Sequence, residues 1–284
     1  MPFEPGTFQG AQRVDIRRSG GPIEGDHVAI EEPLEICVDG KPVVVTMRTP
    51  GHDTELAAGF LFAEGIVTKQ EEIVALVAKP GFKEADSTIR VTEFSGDQVQ
   101  VTLQVTAPTH SVQRATREFR ATAACGVCGK SQIDDLASEF PPILPVEANP
   151  RLLEALPDIL RESQELFELT GGIHGAGIFD LDGNLLCSRE DIGRHNAVDK
   201  VIGHFLLEGN VPLSSHILVV SGRAGFELVQ KALKAAVPVM VSVGAASSLA
   251  VQMAIDAGMV LYSFAGQGRG NLYISKGTNN IDDT

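Results

Sequence analysis

Short runs of alternating hydrophobic and polar residues occupy the first third of the chain. From Glu35 to Arg48 the run EICVDGKPVVVTMR predicts two strands about a turn at Asp39-Gly40. In TPGHDTELAAGFLFAEGI, Asp53 or Thr54 can cap a helix whose Leu56, Phe60 and Leu61 share one face and which stops near Gly65. Residues 87–106 alternate again (TIRVTEF, VQVTLQV), which predicts a second antiparallel pair. The segment 107–124 is polar and basic without periodicity and reads as an exposed loop that delivers the chain to CGVCGK. Residues 1–30, rich in Gly, Pro and charge, read as a mobile arm or an edge extension.

The proline-rich stretch PPILPVEANP at 141–150 precedes a helix predicted from Pro150 to Leu169 and marks a division near residue 145. Beyond it, GAGIFDLDGNLLCSRED predicts two strands about Asp182-Gly183, and NAVDKVIGHFLLEG a helix ending at Gly209. HILVVSG, GFELVQKALKAA, PVMVSVG, SSLAVQMAIDAG and MVLYSFAG then alternate β-branched apolar runs with helical segments, the pattern of successive parallel β-α-β units. The expected fold is α/β (α+β). It comprises an arm at 1–30, an α+β domain at 31–145 holding the CxxC loop, and a second domain at 146–284 whose mixed sheet is flanked by helices. Ligand sites on such sheets lie where parallel strands end, here Ser221-Gly222-Arg223, Val243-Gly244-Ala245 and Phe264-Ala265-Gly266.

Composition narrows the function classes. With 43% hydrophobic and 21% charged residues in 284, the chain is expected to fold around a sizeable core. The start MPFEPGTFQG lacks a basic segment leading into an apolar run, and no apolar stretch approaches membrane-spanning length, so neither secretion nor membrane insertion is expected. A net charge of -14 without a basic stripe argues against nucleic acid, although a few placed arginines and backbone amides can still hold a small anion. Four cysteines, Cys37, Cys125, Cys128 and Cys187, are too few for a disulfide framework and fit a reducing cytoplasm.

Cys125-Gly126-Val127-Cys128 puts two thiols three positions apart between glycines, where Lys130 or turn amides would favour the thiolate. Redox exchange, half of a zinc site and persulfide transfer all use such a pair. A thioredoxin-like reading is disfavoured because the β-α-β units lie far downstream, and a zinc reading must recruit Cys37, Cys187 or histidines. Gly171-Gly172-Ile173-His174 turns the backbone ahead of an imidazole, a residue that in such a place is more often structural than catalytic. Arg189-Glu190-Asp191-Ile192-Gly193-Arg194-His195-Asn196 is a dense ionisable cluster between a strand and a helix, with Asp199 and Lys200 one turn on as a candidate pair. Ser221-Gly222-Arg223-Ala224-Gly225 leads straight into a helix, whose free amides with Arg223 suit a phosphate, though glycine at such a corner is also ordinary packing.

TPGHDTELAAGFLFAEGI, CGVCGK, TGGIHGAGIF, REDIGRHNAVDKVIG, SGRAGFELVQKA and SFAGQGRGNLYI occur in the order seen in the formate dehydrogenase accessory sulfurtransferases, and from about residue 30 to 275 the chain resembles this FdhD family. The resemblance implies a cytidine deaminase-like fold for the second domain. It also implies that sulfur from a cysteine desulfurase is carried as a persulfide to the molybdenum or tungsten bis(guanine dinucleotide) cofactor before its insertion into formate dehydrogenase. On that basis Cys125 is the persulfide carrier and Cys128 its partner, and Phe264, Ala265, Gly266, Gln267, Gly268 and Arg269 form the cofactor-binding loop. Gly222, Arg223 and Arg269 are assigned to phosphate, where a guanine nucleotide can stand in for the cofactor, and His174 and His195 are candidates for proton handling. Similar proteins usually carry Arg-Gly after Phe-Ala and an apolar residue before Asn271, where this chain has Gly266, Gln267 and Gly270. Deamination is disfavoured because His174 is followed by Gly-Ala rather than x-Glu, and Ala124 replaces the proline expected before Cys125. No resident metal is expected, and a homodimer is compatible with the composition without being demanded by it.

Overall fold

The computed structural model describes residues 10–17, 19, 21–80, 96–104, 140–147, 149–266 and 268–273. Within the segment read from the sequence as a mobile arm or an edge extension, β1 (Ala11–Arg17) and β2 (Ile23–Ala29) pair along their whole length as an antiparallel ribbon, and residues 1–9 lie outside the described residues. Gly10 anchors the ribbon's base: its backbone is at φ 99°, and a Cβ there would meet Leu166 and Thr49 side-chain carbons at 2.9 Å.

The predicted hairpin forms as β3 (Glu32–Val38) and β4 (Lys41–Arg48), with Asp39 and Gly40 both left-handed at φ 49° and 76°, the geometry a two-residue turn between twisted strands requires. Helix α1 (Asp53–Ala63) follows, but neither Asp53 nor Thr54 caps it. The N-cap position is His52, left-handed at φ 58°, and the Asp53 carboxylate is drawn away by a bidentate pair with the buried Arg48 guanidinium, both contacts 2.9 Å. After a short 3-10 turn at Gln70–Glu72 come β5 (Ile73–Lys79) and β6 (Asp97–Leu103). The run TIRVTEF lies outside the described residues, and within them β5 is the antiparallel partner of β6. The resulting four-stranded sheet has the order β4-β3-β6-β5, with β3 and β6 parallel.

The single helix predicted from Pro150 is two. Helix α2 (Pro150–Glu162) is capped by Asn149, whose side chain accepts from the Arg151 N–H, and it ends at Ser163. Helix α3 (Glu165–Thr170) starts afresh where the Glu190 carboxylate accepts from the amides of Leu166 and Phe167 at 2.9 and 2.8 Å. Then follow β7 (His174–Asp180), β8 (Leu185–Asp191), α4 (Arg194–Leu207), β9 (His216–Val220), α5 (Phe226–Lys234), β10 (Val239–Ser242), α6 (Ser248–Ala257), β11 (Val260–Gly266) and β12 (Arg269–Tyr273). They build a mixed six-stranded sheet ordered β12-β11-β10-β9-β7-β8, in which β9, β10 and β11 are parallel as expected and the outer strands are antiparallel.

Both faces of this sheet are buried, which explains its nearly continuous apolar runs. Leu218, Val220, Met240 and Leu261 face a large core shared with α1, α4, α5, α6 and the inner face of the four-stranded sheet, while Ile217, Val219, Val241 and Tyr262 face α2 through Leu153, Leu156 and Leu160. The halves on either side of residue 145 therefore carry separate sheets but share one core. Helices α1 and α4 cross with their backbones in contact: a Cβ on Gly59 would lie 1.9 Å from the Asp199 carbonyl oxygen, and one on Gly203 would lie 1.9 Å from that of Glu55.

Candidate functional site

The loops that end β9, β10 and β11 meet along one edge of the large sheet. The Val243 N–H donates to the Val220 carbonyl (3.1 Å), Gly244 to Gly222 (2.9 Å) and Phe264 to Gly244 (3.3 Å), and Ala224 bridges Ala246 in parallel. Gly244 permits this closeness, since a Cβ there would lie 2.9 Å from Arg223 Cα. Beneath the edge, the buried hydroxyls of Ser242 and Ser263 are 2.9 Å apart and tie β10 to β11. Strand β7 runs antiparallel to β9, so its first residue, His174, arrives at the same edge; reciprocal contacts between Gly175 and Ser221, each 2.9 Å, fix it there.

Helices α4, α5 and α6 all begin at this edge. Ser247 caps α6, whereas α4 and α5 start from Gly193 and Gly225 with no side-chain cap, so amide dipoles at two helix N-termini are left to solvent or ligand. Arg194, Arg223 and Arg269 stand here and make no ion pair among the described residues. In a chain of net charge -14, the edge is thus a local concentration of positive potential. Phe264 is left-handed at φ 58° and 48% exposed beside exposed Val243 and Leu249, an unusual backbone for an aromatic residue and a sign of a constrained site.

Of the loop residues singled out by sequence, Phe264, Gly268 and Arg269 are exposed, Ala265 turns its methyl into the core against α2, and Gln267 lies outside the described residues. Gly266 adopts φ 133°, which an arginine would strain, and a Cβ on Gly270 would lie 2.3 Å from the Tyr262 ring.

The cluster from Arg189 to Lys200 divides into a structural set and a site set. Arg189 pairs with Glu55 through both oxygens, and Glu190 caps α3. Asp191 is fully buried: it meets Lys200 Nζ at 2.8 Å and accepts from the amides of Thr49 and Gly193 and the side chain of Asn196. Asp199 and Lys200 do not pair with each other; Asp199 pairs with Lys231 and Lys200 with Asp191. Arg194 and His195 face the edge. His195 Nε2 is 2.8 Å from Glu227 on α5; the sequence marks Arg194 only as one member of the cluster and gives no signal for Glu227.

Cys125 and Cys128 lie outside the described residues. The two described cysteines are poor nucleophiles: burial, then Glu35, raises the thiol pKa of Cys37, and burial pushes that of Cys187 up to about 11. Among the described residues no group of three His, Cys, Asp or Glu side chains is arranged to hold a metal ion. No helix among them is long and apolar enough to cross a membrane.

Comparison with known proteins bears on what this edge belongs to. The model of the FdhD/NarQ family matches residues 29–279. The chain belongs to the FdhD/NarQ family. A sulfur carrier protein FdhD from Corynebacterium efficiens is 47% identical over 249 residues, 87% of this chain and 88% of that protein. One from Mycobacterium tuberculosis is 45% identical over 249 residues, covering 87% and 89%. One from Streptomyces coelicolor is 42% identical over 267 residues, covering 92% and 91%. Among solved structures, one described as a formate dehydrogenase accessory protein from Desulfotalea psychrophila superposes with a TM-score of 0.71 at 25% identity, covering 94% of this chain and 97% of that one. The FdhD/NarQ match contains both sheets and the whole strand-end edge, and it begins at the last residue of β2, leaving the ribbon almost entirely outside.

Proposed function

We propose that the chain is a sulfurtransferase of formate dehydrogenase maturation, which carries sulfur as a persulfide on Cys125, with Cys128 beside it in sequence, and delivers it to a molybdenum bis(guanine dinucleotide) cofactor bound as substrate. The sulfur donor is a cysteine desulfurase, the client a formate dehydrogenase, and the compartment the cytoplasm. Loading is a thiolate exchange: the Cys125 thiolate attacks the sulfane sulfur of the donor's persulfide, a new S–S bond forms, the donor's S–S bond breaks and its thiolate leaves.

Relatives named sulfur carrier proteins support the sulfur chemistry. The observation that supports the substrate is the strand-end edge, where two side-chain-uncapped helix N-termini and Arg194 and Arg223, which make no ion pair among the described residues, stand beside an exposed aromatic residue. Pyrophosphates suit the amides and arginines, and a planar base suits Phe264. Burial and raised thiol pKa values at Cys37 and Cys187 favour the CxxC pair over them as the carrier.

Intact mass after incubation with a cysteine desulfurase and cysteine tests this. A reducible gain of one sulfur, kept in Cys37→Ala and Cys187→Ala and lost in Cys125→Ala, is the expected result. No gain in the wild type beside an active desulfurase would leave a cofactor-binding chaperone as the function.

A further inference from the structure

His174 is the unabsorbed feature of the edge. It opens β7 opposite Asp191 of β8, and it faces Gly222 of the β9 loop so closely that a Cβ on that glycine would lie 3.5 Å from its Nδ1 and 3.9 Å from Arg194 Cδ. Asp191 is already committed to Lys200, Thr49, Gly193 and Asn196, and His195 to Glu227. The His174 ring nitrogens have no hydrogen-bond partner among the described residues. It is therefore a half-buried imidazole with free hydrogen-bonding capacity, standing between an uncapped helix N-terminus and the Ser221-Gly222-Arg223 loop.

We propose that His174 is a proton-coupled contact of this edge: it takes up a proton when the substrate's pyrophosphate binds and then donates a charged hydrogen bond to it. The inference rests on the reading of the edge as the substrate's anion site. The charges facing the ring set its behaviour. Burial, then Arg194 and His195, hold its pKa below the ordinary histidine value, with Asp191 opposing in part, so the free site is neutral at His174 near pH 7. An anion beside Arg194 offsets those cations and raises the pKa, so the bound state holds more protons than the free state. Binding then weakens as pH rises through the interval between the two values.

The test is calorimetric titration of the full chain with diguanosine pyrophosphate, a diester that does not itself titrate in this range, in buffers of different ionisation enthalpy. The wild type is expected to take up a fraction of a proton on binding and to bind about tenfold more weakly at the alkaline end. His174→Gln keeps a hydrogen-bonding side chain and is expected to bind with no uptake and a flat pH profile. Wild-type binding without proton uptake overturns the His174 proposal while leaving the anion site standing, and so does uptake that persists in His174→Gln but is lost in His195→Gln. No binding at any pH overturns the anion site and the proposal with it.

Discussion

At the scale of single residues, what a side chain does here depends on which charge reaches it, and that charge often comes from far along the chain. Glu55 is the clearest case. Burial raises its pKa, but hydrogen bonds from Arg189 and His52 outweigh this and hold the carboxyl at about 2, against an ordinary 4.5. The folded form thus binds its proton less readily than the unfolded one, so the stabilisation is complete above about pH 4.5 and disappears as pH falls through about 2. Solvent at the 14% exposed side chain screens part of the effect, leaving on the order of 1–2 kcal/mol. Glu55→Gln should lower the denaturation midpoint at pH 7 and narrow the gap to wild type near pH 2; an equal gap at both would sink the assignment. The cysteines carry a second prediction. With Cys187 raised to about 11, only about one thiol in a thousand is ionised at pH 8, so native protein treated with iodoacetamide should leave Cys37 and Cys187 unmodified until denaturant is added.

At the scale of elements, the sequence was most legible where a segment's partners are implied by its own pattern. β-branched runs ending in Ser-Gly or Val-Gly announced the parallel strands β9 and β10, and the glycines there announced the loops that gather at the edge. It was least legible where a distant side chain decides the local form. The break between α2 and α3 depends on Glu190, 24 residues from Leu166, and the start of α1 depends on Arg48 holding Asp53 away from the cap. Strand β5 escaped because IVALVAK has no polar alternation to mark it. Arg194 stayed undistinguished within its cluster because the ionisable groups around it look alike in sequence, and only their partners separate the structural ones from it. The crossing of α1 and α4 is likewise written in two isolated glycines. Gly203→Ala would drive a methyl into the Glu55 carbonyl oxygen, leaving only separation of the helices as relief. A loss of about 3 kcal/mol or more in chemical denaturation is expected. Gly209→Ala, strained by its positive φ of 73° and by a Cβ 3.1 Å from the yielding Gln70 side-chain oxygen, should cost about 1–2 kcal/mol.

At the scale of the whole molecule, the hub beneath the edge joins the two halves. Thr49, between β4 and α1, donates its amide to Asp191 and accepts at its carbonyl from the Lys200 ammonium and at its hydroxyl from the Ile192 amide. Asn196 adds a bond to the Met47 carbonyl. The loop that presents Arg194 and His195 is therefore held by the half that carries the CxxC segment in sequence, and the edge cannot keep its shape if that half opens. Neutralising the carboxylate with Asp191→Asn leaves the Lys200 ammonium buried, at a cost of about 3–5 kcal/mol, whereas Asp191→Asn with Lys200→Met removes the stranded charge and should recover part of it. Because the halves share one core, the loss should fall on both sheets together. Native-state amide exchange can show this: the most protected amides of β3 and β6 and those of β9 and β10 should have equal opening free energies in the wild type, and should fall by the same amount in Asp191→Asn. A fall confined to one sheet would mean that the halves open separately and that the edge is built by the second half alone.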